Sequence, residues 1–274
     1  MSELSEIPRI DRLTAIFSRM RMRSLIVREG SYGGVSDVPR AGDTGHLLLL
    51  RGGRLRVESD GASVVIDGPA AALLPRPTAY RLAADAPVEL VAAELWLGGA
   101  GSPIERGLPT LLPFSLAGDP SSSGALELLF AQVGEYRCGR QVILDRLIEI
   151  LLVHLFRLAI RRPEQCPGLF AGLGHPALAR VLVQLHDRPA HDWTLERMAE
   201  EAGMSRTTFA GTFRRVVGQT PGDYLQSWRL QLARAALADG RSLRQAAHDV
   251  GYESHAALSR ALSRHRCAPV PAAA

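Results

Sequence analysis

An internal repeat in the last third of the chain constrains the fold more than any other feature of the sequence. Three positions recur after 48 residues, so that Leu195, Ala199 and Gly203 correspond to Leu243, Ala247 and Gly251. Two apolar positions recur after 49 residues, where Phe209 and Phe213 correspond to Leu258 and Leu262. Two short helices joined by a tight turn that contains glycine form a helix-turn-helix unit. The repeat therefore predicts two such units.

Capping residues indicate where the helices of both units begin. Thr194 and Ser205 are suited to cap the two helices of the first copy, and Ser242 with Gln245 forms a capping box before the second copy. Thr220–Pro221 begins a longer apolar-striped helix between the copies. One rigid helix would hold the two units at a fixed spacing, and paired helix-turn-helix units bind major grooves about 34 Å apart.

The charge of the chain is unevenly distributed. Its 32 basic residues are all arginine, and residues 171–274 hold 13 of them against 9 acidic residues, which accounts for the whole net charge of +4. Residues 1–170 hold equal numbers of basic and acidic residues. This distribution favours a polyanion as a partner of the C-terminal part, with an ordinary solvated surface as the alternative. The helix-turn-helix repeat indicates that the polyanion is double-stranded DNA.

The repeat lies within a series of motifs, namely Trp193–Glu196, Ala202–Phe209, Phe213–Arg215, Val217–Gly218, Thr220–Pro221, Trp228–Leu230 and Val250–Ser254. Together they closely resemble the AraC/XylS-type transcriptional regulators over roughly residues 175–266. The front half is similar, less closely, to the cupin-type sensor domain of many such regulators. The resemblance implies a ligand-responsive, sequence-specific DNA-binding regulator of bacterial transcription, which would contact RNA polymerase if it activates.

The front half has the pattern of a β-rich domain. From about Ser24 to Leu97, short apolar or alternating runs are separated by Gly, Pro and Asp-Gly turn signals, and Pro87 separates the last two runs. Gly98 to Gly124, with Pro120–Ser123 inside it, is predicted to be a loop. This spacing of strands favours a sandwich or a small barrel.

Helical periodicity follows at Ala125–Arg137 and at Gln141–Ile160. The second of these helices is apolar over more than one stripe, which predicts burial on two sides or a homodimer interface. The expected fold class is α+β: an N-terminal cupin-like barrel or sandwich with packing helices, then an all-α domain of two helix-turn-helix units joined by a long helix. The expected domains are residues 1–162 for sensing and dimerisation, 163–174 as linker and 175–274 for DNA binding.

Residues on the outer faces of the two second helices are the candidates for DNA contacts. Arginine can bind guanine through two hydrogen bonds, threonine can contact a thymine methyl group, and a small residue lets a helix lie deep in the groove. Arg215 is expected to contact phosphate, and Ser254 is also suited to cap its helix. The candidates are Arg206, Thr207, Thr208, Gly211, Arg214 and Arg215 in the first unit, and Ser254, His255, Ala256, Ser259 and Arg260 in the second.

Four residues of the front domain are candidates for an organic-ligand site: His46, Tyr80, Arg81 and Trp96. His46 is the only histidine before His154, whereas cupin metal sites need several histidines and a carboxylate. We therefore expect no catalytic residue, no metal and no cofactor, and a cupin-fold enzyme with a helical tail is an unfavoured alternative.

Two further alternatives follow from the sequence. A redox-responsive regulator would use Cys138, Cys166 or Cys267, of which Cys138 lies between two arginines. An interaction module that has lost DNA binding is suggested by Cys267 and the Ala-Pro-Val-Pro run at 268–271, where the family pattern has a terminating glycine. The absence of a signal peptide and of a long apolar run predicts a soluble, cytoplasmic protein without membrane contact.

Overall fold

The computed structural model describes residues 11–20, 22–40, 42–99, 101–134 and 137–264. These residues form two compact units, each treated by itself below. The barrel unit comprises the described residues from 22 to 166. The helical unit comprises residues 167–264 together with residues 11–20, which form the first helix, α1 (Thr14–Arg19).

The barrel unit contains an antiparallel sheet of seven strands. The strands are β1 (Arg23–Val38), β2 (Gly45–Leu50), β3 (Arg54–Ser59), β4 (Ala62–Asp67), β5 (Ala70–Leu74), β6 (Tyr80–Trp96) and β7 (Leu112–Ser115). Their order is β4-β3-β6-β2-β5-β7, and β1 also pairs with β6. Every residue of β2 is buried, so its Leu47–Leu50 run is apolar on both faces rather than alternating.

Three helices complete the barrel unit: α2 (Pro103–Arg106), α3 (Pro120–Gln132) and α4 (Arg140–Ile160). α3 and α4 pack against each other, and α4 also contacts β1. The buried stripe of α4 includes Leu144, Ile148, Leu151 and Leu155. Its opposite face leaves Ile143 and Ile150 exposed.

The helical unit continues with seven further helices. They are α5 (Leu169–Gly174), α6 (Pro176–Asp187), α7 (Leu195–Ala202), α8 (Arg206–Val217), α9 (Pro221–Ala238), α10 (Leu243–Asp249) and α11 (His255–Arg264). α7 with α8 and α10 with α11 are the two helix-turn-helix units, and α9 lies between them in the chain. The predicted α+β fold class, with its cupin-like barrel and double helix-turn-helix part, is confirmed.

The predicted caps form as hydrogen bonds. Thr194 and Ser205 accept the backbone N–H groups of the third residues of α7 and α8, and both halves of the Ser242–Gln245 capping box are present. Each turn then uses a glycine in the left-handed region, Gly203 at φ 66° and Gly251 at φ 79°. The repeated glycines are thus explained by the geometry of the turn.

The structure differs from the sequence expectations in three loops. Pro87 lies inside the continuous strand β6, where the register with β1 shifts between Tyr32 and Gly34, and such an irregularity tolerates a residue without an N–H. Pro120 begins helix α3 behind the cap Asp119, because the first helical position needs no N–H, so Pro120–Ser123 is not a loop. The segment 98–124 also contains β7 and α2.

Two other placements were not foreseen. The segment 163–174 was predicted as a linker, yet it contains α5, whose Leu169, Phe170 and Leu173 are buried in the helical unit. α1 also belongs to the helical unit, where it packs on α6, although residues 1–162 were expected to form the sensor domain. Cys267 and the run 268–271 lie outside the described residues.

Candidate nucleic-acid interface and sensor site

Helix α8 has one apolar face that fixes it in the first unit. Phe209 and Phe213 are fully buried, with ring centroids 5.6 Å apart, and Phe213 meets Tyr224 of α9 edge to face at 5.7 Å. The Tyr224 hydroxyl lies 2.5 Å from Nε2 of the buried His186 on α6. Burial lowers the pKa of His186 to about 3, so this side chain is neutral at physiological pH. Helix α8 therefore packs on a layer of buried aromatic side chains from its own inner face, α9 and α6.

The opposite face of α8 is exposed and carries every candidate of the first unit: Arg206, Thr207, Thr208, Gly211, Arg214 and Arg215. A Cβ added at Gly211 would meet no atom within 4 Å, so the space above the helix at this position is open. Within the described residues, Arg214 and Arg215 make no ion pair, which leaves their guanidinium groups available to an anionic partner.

Helix α11 repeats this arrangement in the second unit. Leu258 and Ala261 are buried, and Ser254 accepts the backbone N–H of Ala257, so it caps the helix. The candidates Ser254, His255, Ala256, Ser259 and Arg260 are all exposed. The 18 residues of α9, which connects the two units, give a rod about 27 Å long at 1.5 Å per residue.

Three of the four sensor candidates lie at the same part of the barrel. His46, Tyr80 and Trp96 are 3%, 5% and 3% exposed, and the rings of His46 and Tyr80 meet edge to face with centroids 5.0 Å apart. His46 pairs with Glu94 across the sheet, and Trp96 is two residues further on the same face of β6. Among the described residues, His46 Nδ1 and Trp96 Nε1 have no hydrogen-bond partner. Burial lowers the pKa of His46.

Arg81 is placed apart from His46 and Trp96. It follows Tyr80 on β6, so its side chain points to the other face of the strand, where it donates to Asp37 at 2.7 Å. Tyr80 and Arg81 both line an open pocket of about 640 Å³ beside the β3–β4 hairpin. The four candidates thus divide between the barrel interior and its rim.

Sequence reasoning missed three charged residues near these sites. Glu94 and Arg28 both act electrostatically on Tyr80, whose pKa burial raises to about 12. Glu94 stands out only once the register shows it opposite His46. Glu196 accepts a hydrogen bond from Arg206 ten residues later, a separation that no periodic pattern indicates.

The remaining sequence hypotheses concern thiols and metals. Cys138 is exposed, whereas Cys166 is buried and its pKa is raised to about 11 by that burial, which disfavours the thiolate. Within the described part of the chain, no three His, Cys, Asp or Glu side chains converge as a metal site. No helix of the described residues is long and apolar enough to cross a membrane.

Comparison with known proteins assigns both halves of the chain. A family model for a helix-turn-helix domain matches residues 198–269, and one for a cupin matches residues 11–161. An AraC-like transcription regulator of Streptomyces antibioticus is 30% identical over 94% of this chain and 94% of its own length. A second, from Streptomyces lividans, is 43% identical over 45% of this chain and 41% of its own length.

Among solved structures, ToxT from Vibrio cholerae covers 88% of this chain and 92% of its own, with 11% identity and a TM-score of 0.39. The cupin match covers more than half of the chain, and the Streptomyces antibioticus relative matches almost all of it. The chain belongs to the AraC family of DNA-binding transcription regulators.

Proposed function

We propose that this regulator binds two adjacent major grooves of duplex DNA with α8 and α11. The observation that carries the proposal is that both helices bury one apolar face and expose an opposite face of arginine and small polar residues. Arg206, Arg214 and Arg260 are assigned to base edges, and Arg215 to phosphate. The other proposed contacts are Thr207, Thr208, Gly211, Ser254, His255, Ala256 and Ser259.

The barrel unit is proposed to bind a small organic effector. The buried nitrogens His46 Nδ1 and Trp96 Nε1 lack partners among the described residues, and a buried polar group without a hydrogen bond is costly. A ligand with polar atoms would satisfy both, with Tyr80 as an apolar wall and Arg81 at the rim. The protein would then act as a sensor rather than an enzyme, without a metal or another cofactor.

The remaining partners are proposed from an exposed apolar surface of the barrel unit and from membership of the AraC family. The exposed apolar face of α4, which includes Ile143 and Ile150, is assigned to a homodimer. RNA polymerase is a partner if the protein activates transcription, and the cytoplasm is its proposed location. The sensor domain is proposed to span residues 1–162, the linker 163–174 and the DNA-binding domain 175–274. Within these limits, α1 and α5 pack in the helical unit.

The test is a selection of binding sites from random duplex DNA, run with the purified full chain and with two arginine variants. Arg214→Ala is expected to relax the preference at one base pair, at a cost of about 1–3 kcal/mol for a bidentate guanine contact. Arg215→Ala should weaken all sequences equally and reduce the salt slope by about one unit. A parent protein that enriches no sequence would contradict the proposal.

A further inference from the structure

Helix α8 begins with Arg206, whose side chain forms an ion pair with another residue of the same unit. Nη1 of Arg206 donates to Oε1 of Glu196 at 2.5 Å, joining the first residue of α8 to the first turn of α7. The two side chains are 66% and 52% exposed, so the pair lies on the surface. An exposed ion pair adds little to folding stability, so stability alone does not account for this pair on the face that is proposed to contact DNA.

Glu196 lies in the first turn of α7, directly after the capping residue. Thr194 caps α7 by accepting the N–H of Arg197. A carboxylate is favoured in the first turn of a helix, where the backbone N–H groups carry partial positive charge. The hydrogen bond from Arg206 has the largest effect among those that lower the pKa of Glu196, ahead of the Glu196 backbone N–H and Thr194.

The guanidinium group keeps most of its hydrogen-bonding capacity in this pair. Arginine offers five N–H donors in a planar fork, and Glu196 accepts from Nη1 alone. Donors therefore remain for a guanine O6 and N7. Restricting a long side chain before binding reduces the entropy lost when it contacts a base.

We infer that Glu196 is a positioning residue, which orients Arg206 of α8 toward one base pair and so sharpens the sequence preference of the first unit. This inference rests on the proposed base contact of Arg206.

The second unit lacks this arrangement. The positions that correspond to Glu196 and Arg206, at offsets of 48 and 49 residues, are Arg244 and His255. Both are exposed, and neither is acidic. Neither side chain supplies a carboxylate to accept a hydrogen bond from the other, so this position of the second unit has no ion pair that could orient a base-contacting residue. The first unit should therefore discriminate between bases more sharply at this position than the second.

The experiment measures base preference with duplex DNA that the full-length parent protein has selected from a random pool. Affinities of Glu196→Ala, Arg206→Ala and the double variant are compared on this duplex and on its single-base substitutions. Glu200→Ala is the matched control, because Glu200 is an exposed carboxylate on the same helix and its loss changes the net charge equally. Thermal unfolding checks that all variants are folded.

We expect Glu196→Ala to reduce discrimination roughly two- to tenfold at the base pair that Arg206→Ala affects, with no further reduction in the double variant. Glu200→Ala should leave the preference unchanged and raise all affinities slightly. If Glu196→Ala behaves like Glu200→Ala while Arg206→Ala relaxes one base pair, the positioning role is wrong and the base contact stands. If Arg206→Ala relaxes none, the proposed base contact fails as well.

Discussion

At the level of single residues, Glu105 has a carboxyl group that is buried in the barrel unit. It is 3% exposed, accepts the N–H of Gly101 at 3.1 Å, and its backbone carbonyl accepts from Arg76. Burial raises the pKa of this carboxyl group to about 7, against the opposing effects of the Gly101 N–H and Arg76. The native state therefore retains a proton that the unfolded chain releases at lower pH.

This raised pKa predicts a defined pH dependence. Between pH 4.5 and about 7 the native state binds more protons than the unfolded state, so the free energy of unfolding falls as pH rises, by about 3 kcal/mol in total. Glu105→Gln should abolish this component and be more stable than the parent at pH 8. Urea unfolding across this range measures it, with Asp85→Asn, at an exposed residue, as control. An unchanged pH slope in Glu105→Gln would refute the assignment.

At the level of elements, α1 is a small helix with a large buried share. Leu13, Ile16 and Met20 are each less than 10% exposed within the helical unit, and Gln231 of α9 donates to the sulfur of Met20. Arg19 also donates to the carbonyl of Asp187, at the end of α6. A segment that precedes the barrel in sequence thus contributes to the core of the DNA-binding part.

The packing of α1 predicts the effect of truncating one of its residues. Ile16→Ala should lower the free energy of unfolding of the full chain by about 2–5 kcal/mol, because it removes a fully buried side chain. Ser18→Ala, on the exposed side of the same helix, should change it by less than about 0.5 kcal/mol. Denaturation followed by circular dichroism compares the two. Equal stabilities would mean that α1 does not pack as described.

The exposed apolar face of α4 leads to a prediction about the association of two copies of the chain. Ile143 and Ile150 are seven residues apart, so they share one helix face, and they are 44% and 45% exposed. If α4 forms the proposed homodimer contact, replacing both with Glu should convert the protein from a dimer to a monomer, because charges would be buried in an apolar contact. Sedimentation compares the mass of the variant with that of the parent, and Val35→Glu, which removes an exposed apolar residue of β1, should leave the proposed dimer intact. A doubly substituted protein that stays dimeric would exclude this face.

The sequence predicted elements well where the determinants are local. The caps Thr194, Ser205 and Ser242 form as predicted because a cap depends on residues three positions apart. Pro87 was misleading because its place in β6 depends on a register shift with β1, which is a distant pairing. α1 was assigned to the barrel half because its packing on α6 involves residues more than 150 positions away.

For the candidate sites too, sequence reasoning predicted what depends on local pattern and missed what depends on distant contacts. Exposure of the α8 and α11 residues followed from helical periodicity alone. The partnership of Arg206 with Glu196 needs the turn between α7 and α8, and that of His46 with Glu94 needs the sheet register. Base contacts and effector contacts remain predictions at every one of these residues.

At the scale of the whole molecule, the barrel unit and the helical unit have separate proposed tasks. The barrel unit supplies a partly polar interior at His46 and Trp96, and the helical unit supplies two exposed recognition helices and the net positive charge. The two helix-turn-helix units are connected by α9, which is about 27 Å long, and this length fits two binding sites about one turn of DNA apart. We therefore expect both helix-turn-helix units to bind the same DNA molecule at once.

Footprinting of the full chain on its selected duplex tests that claim most directly. The parent should protect two patches about 34 Å apart on one face of the DNA. Arg214→Ala should weaken protection of one patch, and Arg260→Ala should weaken the other. A single protected patch, or loss of the same patch in both variants, would contradict the account.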